Sequence, residues 1–236
     1  STVSMRALPL VNGRKRLGAV ILTRDVSEVH RHEQELMTKD ATIREIHHRV
    51  KNNLQTVSAL LRLQSRRSSE EAVKVALAEA ERRVQAIATV HAALSQNVDE
   101  SVDFDEVART IVRMAGAIAS TDHAVEVITT GSFGTIQADQ AQALATVLNE
   151  LVANSVEHGL ADRDGLIEVR AEREGTSMTV TVADDGVGFV PGTPMSGLGT
   201  QIVHQMVRGE LKGSIEWAPR EGGGTLVTLH ANLDPA

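Results

Sequence analysis

From about residue 27 to 66, apolar or near-apolar positions recur at Ile43, His47, Val50, Leu54, Val57 and Leu61, in alternating steps of four and three. A second run keeps the same spacing through Val73, Leu77, Ala80, Val84, Ile87, His91 and Leu94. Such steps align side chains along one stripe of an α-helix. Between the runs, Ser68 and Glu71 have the spacing of a capping box. The pattern predicts two long helices joined by a short turn, an antiparallel hairpin with heptad-like seams. Each helix carries more apolar surface than one partner covers, which predicts a homodimer with a four-helix bundle.

Either side of the hairpin the period changes. Residues 5–24 read as two strands around an Asn12-Gly13 turn, because both turn residues tolerate positive φ. An isolated hairpin is marginal in water, so this segment reads as the last piece of a larger sensor domain. Asp25 or Ser27 then offers a helix N-cap. Beyond residue 100 a helix (about 103–119) precedes strands at 124–130 and 135–138. A long helix follows (about 139–160), then alternating strands at 167–172 and 178–184, a Gly/Pro-rich loop and a helix at 198–211. Two closing strands lie near 213–218 and 225–231. This mixture predicts an α+β sandwich, with a sheet on one side and helices on the other.

Composition narrows the chemistry. The 236 residues carry a formal charge of −7, which does not suggest nucleic-acid binding. Cysteine is absent, and this excludes disulfides, thiolate metal sites and cysteine nucleophiles. No apolar run approaches the roughly 20 residues of a membrane helix, and no signal peptide opens the chain, so a cytoplasmic protein is expected. The chain begins at Ser1 without Met and reads as a fragment of a longer one.

Two adjacent histidines sit within EIHHRVKNNLQ (45–55). His47 holds a seam position and should face the bundle interior. His48 is turned about 100° away, towards the flank. Glu45, Lys51 and Asn52 share its face. A neutral imidazole is a competent nucleophile, and a nearby carboxylate or amide can hold its tautomer. Both histidines are also compatible with an ordinary coiled coil. A metal site is not, since adjacent side chains diverge and no third ligand has suitable spacing.

The helix at 139–160 carries Glu150, Asn154 and His158 every four residues, opposite Leu144, Leu148, Leu151 and Val152. Alone, that stripe also fits a solvated face. Asn149 and Asn154, however, are poor interior helix formers, and an amide one turn from a carboxylate could hold magnesium. Next, Asp184-Asp185-Gly186-Val187-Gly188 ends a strand. A carboxylate there, followed by alternating glycines, lets backbone approach a flat ligand and offers an acceptor for an exocyclic amine such as that of adenine. An acidic β-turn is the alternative. Residues 189–203 form a flexible glycine-containing segment in which Gly197 and Gly199 lead into a helix and present free amides to phosphates. Gly222-Gly223-Gly224-Thr225 opens the last strand.

In this order, residues 139–230 resemble the ATP-binding domain shared by gyrase, the Hsp90 chaperone, sensor histidine kinases and the MutL repair protein. The resemblance implies that Glu150 and Asn154 form the N-box, with Asn154 coordinating Mg2+. It implies that Asp184, Gly186 and Gly188 contact adenine, and that Gly197 and Gly199 cover the triphosphate of ATP. Residues 45–64 with 83–94 resemble the second histidine-kinase dimerisation family, related to the His-Arg-x-Lys-Asn kinases. There the phosphoacceptor is the histidine before Arg, here His48. The overall likeness is to soluble actinobacterial kinases that signal to response regulators carrying an RNA-binding ANTAR domain. The first hairpin resembles the end of a PAS sensor.

These likenesses imply three segments: 1–26, PAS-like; 27–98, dimerisation and phosphotransfer; 99–236, catalytic ATP binding. They imply a kinase that phosphorylates His48 from ATP and passes the phosphoryl group to an aspartate of a response regulator. Two departures stand out. Arg49 follows the phosphoacceptor where many such kinases have an acid, leaving Glu45 or Glu150 as general base. The lid is short, without a phenylalanine box. A gyrase- or chaperone-like ATPase, with Glu150 activating water, is the enzymatic alternative. A degenerate scaffold or phosphatase, with Asn52 positioning water, is the other.

Overall fold

The computed structural model describes residues 2–12, 15–94, 101–116, 123–161, 163–189 and 197–235. The tip of the Asn12-Gly13 turn, the end of the helix expected to reach 119, and the middle of the glycine-containing segment lie outside the described residues. The chain divides into two compact units, Ser1–Glu45 and Ile46–Ala236.

In the first unit, β1 (Val3–Asn12) pairs antiparallel with β2 (Lys15–Asp25). Met5, Ile21 and Leu22 on this ribbon are exposed. Helix α1 (Ser27–Arg67) starts where the Asp25 carboxylate accepts the Ser27 amide at 2.9 Å, so Asp25 supplies the cap.

In the second unit, the remainder of α1 and helix α2 (Glu71–Leu94) form the hairpin. Its antiparallel register is fixed by His47 against His91, Arg62 bonded to Glu81, and Ser65 donating to the Lys74 carbonyl. At the turn, the Ser68 hydroxyl accepts the Glu70 amide at 3.2 Å, two residues on, where the capping-box spacing pointed to Glu71. The seam also drifts from its expected path. Ser58 is buried, whereas Val57 is 43% exposed and shares an open face with Leu60 and Leu63. On α2, Ala86, Val90 and Leu94 are buried. Val90 and Leu94 belong to the core of the following domain, so this chain covers that surplus apolar surface itself.

That domain opens with β3 (Ser101–Asp103), paired antiparallel to β5 (Thr135–Gln137). β3 was not expected, and three residues are too few to show a period. Helix α3 (Phe104–Gly116) begins beside it, and the Phe104 and Phe133 rings meet at 5.2 Å, a contact worth about 0.5–1.5 kcal/mol beyond the buried area. The main sheet runs β4-β6-β7-β9-β8 and comprises β4 (Val125–Gly131), β6 (Gly165–Glu174), β7 (Ser177–Asp184), β8 (Ser214–Pro219) and β9 (Thr225–Asn232). β4 and β6 are parallel, and the other neighbours antiparallel. Ile167, Val169, Met178, Val180, Val182 and Leu229 are buried at alternate positions and face the helices.

Helix α4 (Ala138–Asn154) is buried along almost its whole length from Gln140 onward, packed by α2, α3 and helix α5 (Leu198–Gly209). It ends in a single π-turn, Ser155–Gly159, where the Leu160 amide reaches the Ser155 carbonyl. Among the described residues, no helix is long and apolar enough to cross a membrane.

Where the two seam histidines meet, His91 gives the hairpin a pH dependence. Their Nδ1 atoms lie 3.1 Å apart. Burial, reinforced by the neighbouring His47, lowers the His91 pKa from 6.5. The folded hairpin therefore refuses a proton that the unfolded chain accepts, and stability present above pH 6.5 is lost as pH falls through the lower folded value. Denaturant melts of wild type between pH 8 and 5 are expected to weaken on the acid side, and His91→Gln to flatten that slope; parallel profiles would contradict the assignment.

Candidate nucleotide site and phosphoacceptor helix

A cavity of about 300 Å³ opens where α4, its π-turn, the end of β7, the start of α5 and the flank of α2 converge. Glu150, Asn154, His158, Asp184, Gly188, Gly197, Gly199 and Thr225 all line it. Asn149 does not; it is buried within α4. The π-turn follows Asn154 directly, and such one-turn widenings recur at functional sites. Here it carries Glu157 and His158 onto the cavity wall.

Asp184 is 2% exposed, and its Oδ1 accepts the amides of Gly186 (3.0 Å) and Thr225 (3.1 Å). Those bonds orient the carboxylate and leave Oδ2 outside them. Its neighbour Asp185 does something different, accepting the Leu166 amide at 2.8 Å and tying the loop to β6. Gly186 packs so tightly on the backbone of Gly159 that a Cβ would overlap the Gly159 carbonyl. Gly224, at φ 97°, lies equally close to the Asp184 carbonyl. Glycine is required at both positions, because the chain segments around Asp184 meet backbone to backbone.

Glu150 is not solvated. Its side chain is 9% exposed, and both oxygens are held by Arg83 of α2, from Nε at 2.8 Å and Nη2 at 3.0 Å. That hydrogen-bonded carboxylate pushes the Arg83 pKa further up, against the lowering effect of burial. Arg82 pairs with Glu157 at 2.7 Å. Sequence reasoning overlooked Arg82, Arg83, Glu157 and Trp217, all on the cavity wall. The available signal was electrostatic: the Glu150, Asn154, Asp184 and glycine constellation contains no Lys or Arg to face a polyanion.

His47 and His48 part as helix geometry predicts. His47 is half-buried against His91, and His48 is exposed. Glu45 and Asn52 are exposed on the same helix. Neither His48 nor Asn52 lines the cavity, so the second unit gathers the candidate nucleotide residues together and leaves these two apart from them.

Comparison with known proteins places these two regions. A histidine-kinase family model matches residues 45–118, and the model for histidine kinase-, DNA gyrase B- and HSP90-like ATPases matches residues 139–235. The sensor histidine kinase PdtaS of Mycolicibacterium smegmatis is 47% identical over 238 residues, 99% of this chain and 48% of that protein. The Mycobacterium tuberculosis protein of the same name is 47% identical over 97% of this chain and 47% of its own length. The chain thus spans about half the length of these curated relatives. Among solved structures, a blue-light activated histidine kinase of Erythrobacter litoralis superposes with a TM-score of 0.58 at 23% identity, covering 91% of this chain and 64% of that one. Its isolated histidine kinase domain gives 0.54 at 23% identity, covering 85% and 94%. With both matches falling on the hairpin and sandwich just described, the chain belongs to the sensor histidine kinases of the second dimerisation and phosphoacceptor family, with a gyrase- and HSP90-like ATPase domain.

Proposed function

We propose that this chain is the catalytic part of a cytoplasmic two-component sensor kinase that phosphorylates His48 from ATP and then transfers the phosphoryl group to an aspartate of a response regulator. The observation that carries the reading is the single cavity joining a buried, oriented Asp184 to Asn154 and the glycine turn, in one compact unit with an exposed His48. The free Asp184 oxygen would accept the adenine amine, while Gly188 and Thr225 would border the base. His158, Gly197 and Gly199 would lie along the phosphates. A His48 ring nitrogen would attack the γ-phosphorus. The new P–N bond forms as the bond to the β-phosphate oxygen breaks, ADP leaves, and the ring proton passes to a base.

Asn154 would hold the magnesium ion. Among the described residues no three His, Asp or Glu side chains gather as a metal cage, and none is needed, because magnesium on a nucleotide takes most ligands from phosphate and water. Bound there, the ion would offset phosphate charge.

Segment assignments follow the sequence: 1–26 as part of a PAS-like sensor, 27–98 as the dimerisation and phosphotransfer hairpin, 99–236 as the ATP-binding domain. The exposed stripe of Val57, Leu60 and Leu63 supports a homodimer. An ANTAR-type regulator as partner rests on the sequence resemblance. The ATPase alternative needs Glu150 to activate water, and Arg83 occupies both its oxygens. Glu45 is the other candidate base, and Asn52, exposed one turn past His48, suits a phosphatase role.

Incubation with γ-labelled ATP and magnesium tests the reading. Wild type and His47→Ala should acquire an acid-labile, base-stable label, and His48→Ala should fall to background; label that persists in His48→Ala refutes the phosphoacceptor. Asp184→Asn should weaken ATP binding roughly tenfold by calorimetry, the scale of a lost hydrogen bond to a charged group, and equal affinity defeats the adenine assignment. Leu60→Glu should shift the chain from dimer to monomer in sedimentation, because a charge would then be buried between copies; an unchanged dimer would place the interface elsewhere.

A further inference from the structure

The cavity wall is acidic. Glu79, Glu150, Glu157 and Asp184 all line it, and among its described residues the only Lys or Arg side chains are Arg82 and Arg83. Both arginines come from α2, outside the segment that matches the ATPase model. A nucleoside triphosphate is a polyanion, and phosphoryl-transfer sites supply cationic side chains or backbone amides along it. Among the described residues, the sandwich contributes the start of α5 but no guanidinium or ammonium group to this wall.

Arg83 is positioned to supply that charge. Its side chain is 15% exposed, and its Nε and Nη2 are committed to Glu150, with Nη2 also 3.4 Å from Glu79. Nη1 takes no part in these bonds. Both Glu150 Oε2 and Arg83 Nη2 lie against the Cβ position of Gly199, in the first turn of α5. The guanidinium and the α4 carboxylate that it pairs with thus both lie at that helix start, the end of α5 suited to phosphate. Arg82, on its pair with Glu157, lies beside His158 on the same wall.

We propose that Arg83, with Arg82 beside it, binds the phosphates of the nucleotide, so that the ATP site is composite. The sandwich holds the base, and the dimerisation hairpin supplies the phosphate-facing cations. This inference rests on the nucleotide reading of the cavity. It makes Arg83 a bridge, with Glu150 on one edge of its planar fork and phosphate on another, a geometry that a lysine cannot reproduce. Occupancy of the site then depends on α2 being docked on α4, which couples nucleotide binding to the position of the hairpin.

Calorimetry on the full chain with magnesium, using adenosine, ADP and ATP, separates the outcomes. Arg83→Gln should lower ATP affinity roughly tenfold or more, lower ADP affinity less, and leave adenosine nearly unchanged. Arg82→Gln should follow the same order with smaller losses, and Arg83→Lys should recover only part. The double variant Arg83→Gln with Glu150→Gln removes the carboxylate left bare, and it should still discriminate against ATP.

Equal losses for adenosine and ATP would make Arg83 a docking residue alone and overturn the proposal. So would unchanged or tighter ATP binding, or recovery of ATP affinity in the double variant. Melting curves identify any variant that fails to fold, and Arg83→Lys, which keeps the charge, then carries the comparison: affinity for every ligand equal to wild type would overturn the bridging role. Wild type that binds neither adenosine nor ATP would remove the nucleotide reading itself, whereas wild-type binding that ignores Arg83 removes only this inference.

Discussion

A carboxylate on a helix buried on nearly every side must find a partner, and that constraint organises the second unit. α4 is enclosed by the sheet, α3, α5 and α2, so Glu150 cannot be left to solvent. An unpaired buried carboxylate costs several kcal/mol. Arg83 meets the demand with both Nε and Nη2, and because Arg83 belongs to α2, the pairing draws the helical hairpin onto the sandwich. Val90 and Leu94 then complete the hydrophobic core from the same helix. The ion pair contributes specificity of docking more than net stability, since desolvation offsets much of its attraction.

The opposite side of the cavity is held by backbone. The Asp184 carboxylate gathers the amides of Gly186 and Thr225, which joins the end of β7 to the start of β9. The close approach of Gly186 to Gly159, and of Gly224 to the Asp184 carbonyl, lets three chain segments meet without intervening side chains. The chemistry of Asp184 and the steric need for glycine are thus one arrangement, and Asp185, one residue on, spends its carboxylate on β6 instead.

Much of this was legible in the sequence, for identifiable reasons. The steps of three and four placed both His47 and His91 on the seam, and the two rings do meet there. Glu150, Asn154 and His158 fell on one stripe because helical spacing is local, and all three reach the cavity. What stayed hidden was non-local. β3 is defined by its pairing to β5 rather than by its own pattern. The exchange of Val57 for Ser58 in the seam depends on how two helices settle against each other. Arg82 and Arg83 meet their carboxylates only across the fold, at Glu157 of the π-turn and Glu150 of α4, pairings that no local pattern reveals. The extra apolar surface of α2 read as a dimer surface, although Val90 and Leu94 are covered within the chain; Val57, Leu60 and Leu63 of α1 are exposed, as are Val73 and Val75 at the start of α2.

His48 does not line the cavity, so the proposed function requires a rearrangement, and energetics favour one way of making it. Detaching α2 from α4 would re-expose Val90 and Leu94, at about 1.5–3 kcal/mol for each buried aliphatic side chain, and would strip Glu150 and Glu157 of their arginines as well. α1 is held less firmly. Its seam residues His47, Val50 and Leu54 are only half-buried, and Arg62 on the same helix is largely exposed in its pair with Glu81. A rearrangement that keeps α2 on the ATP domain and moves a phosphoacceptor helix relative to it therefore disturbs less buried surface than one that separates the two domains. Under the proposed function, the His48 that receives the phosphoryl group would come either from this chain's own α1 or from that of a second copy packed on the Val57, Leu60 and Leu63 face, and in both cases α2 would remain the fixed element between nucleotide and acceptor.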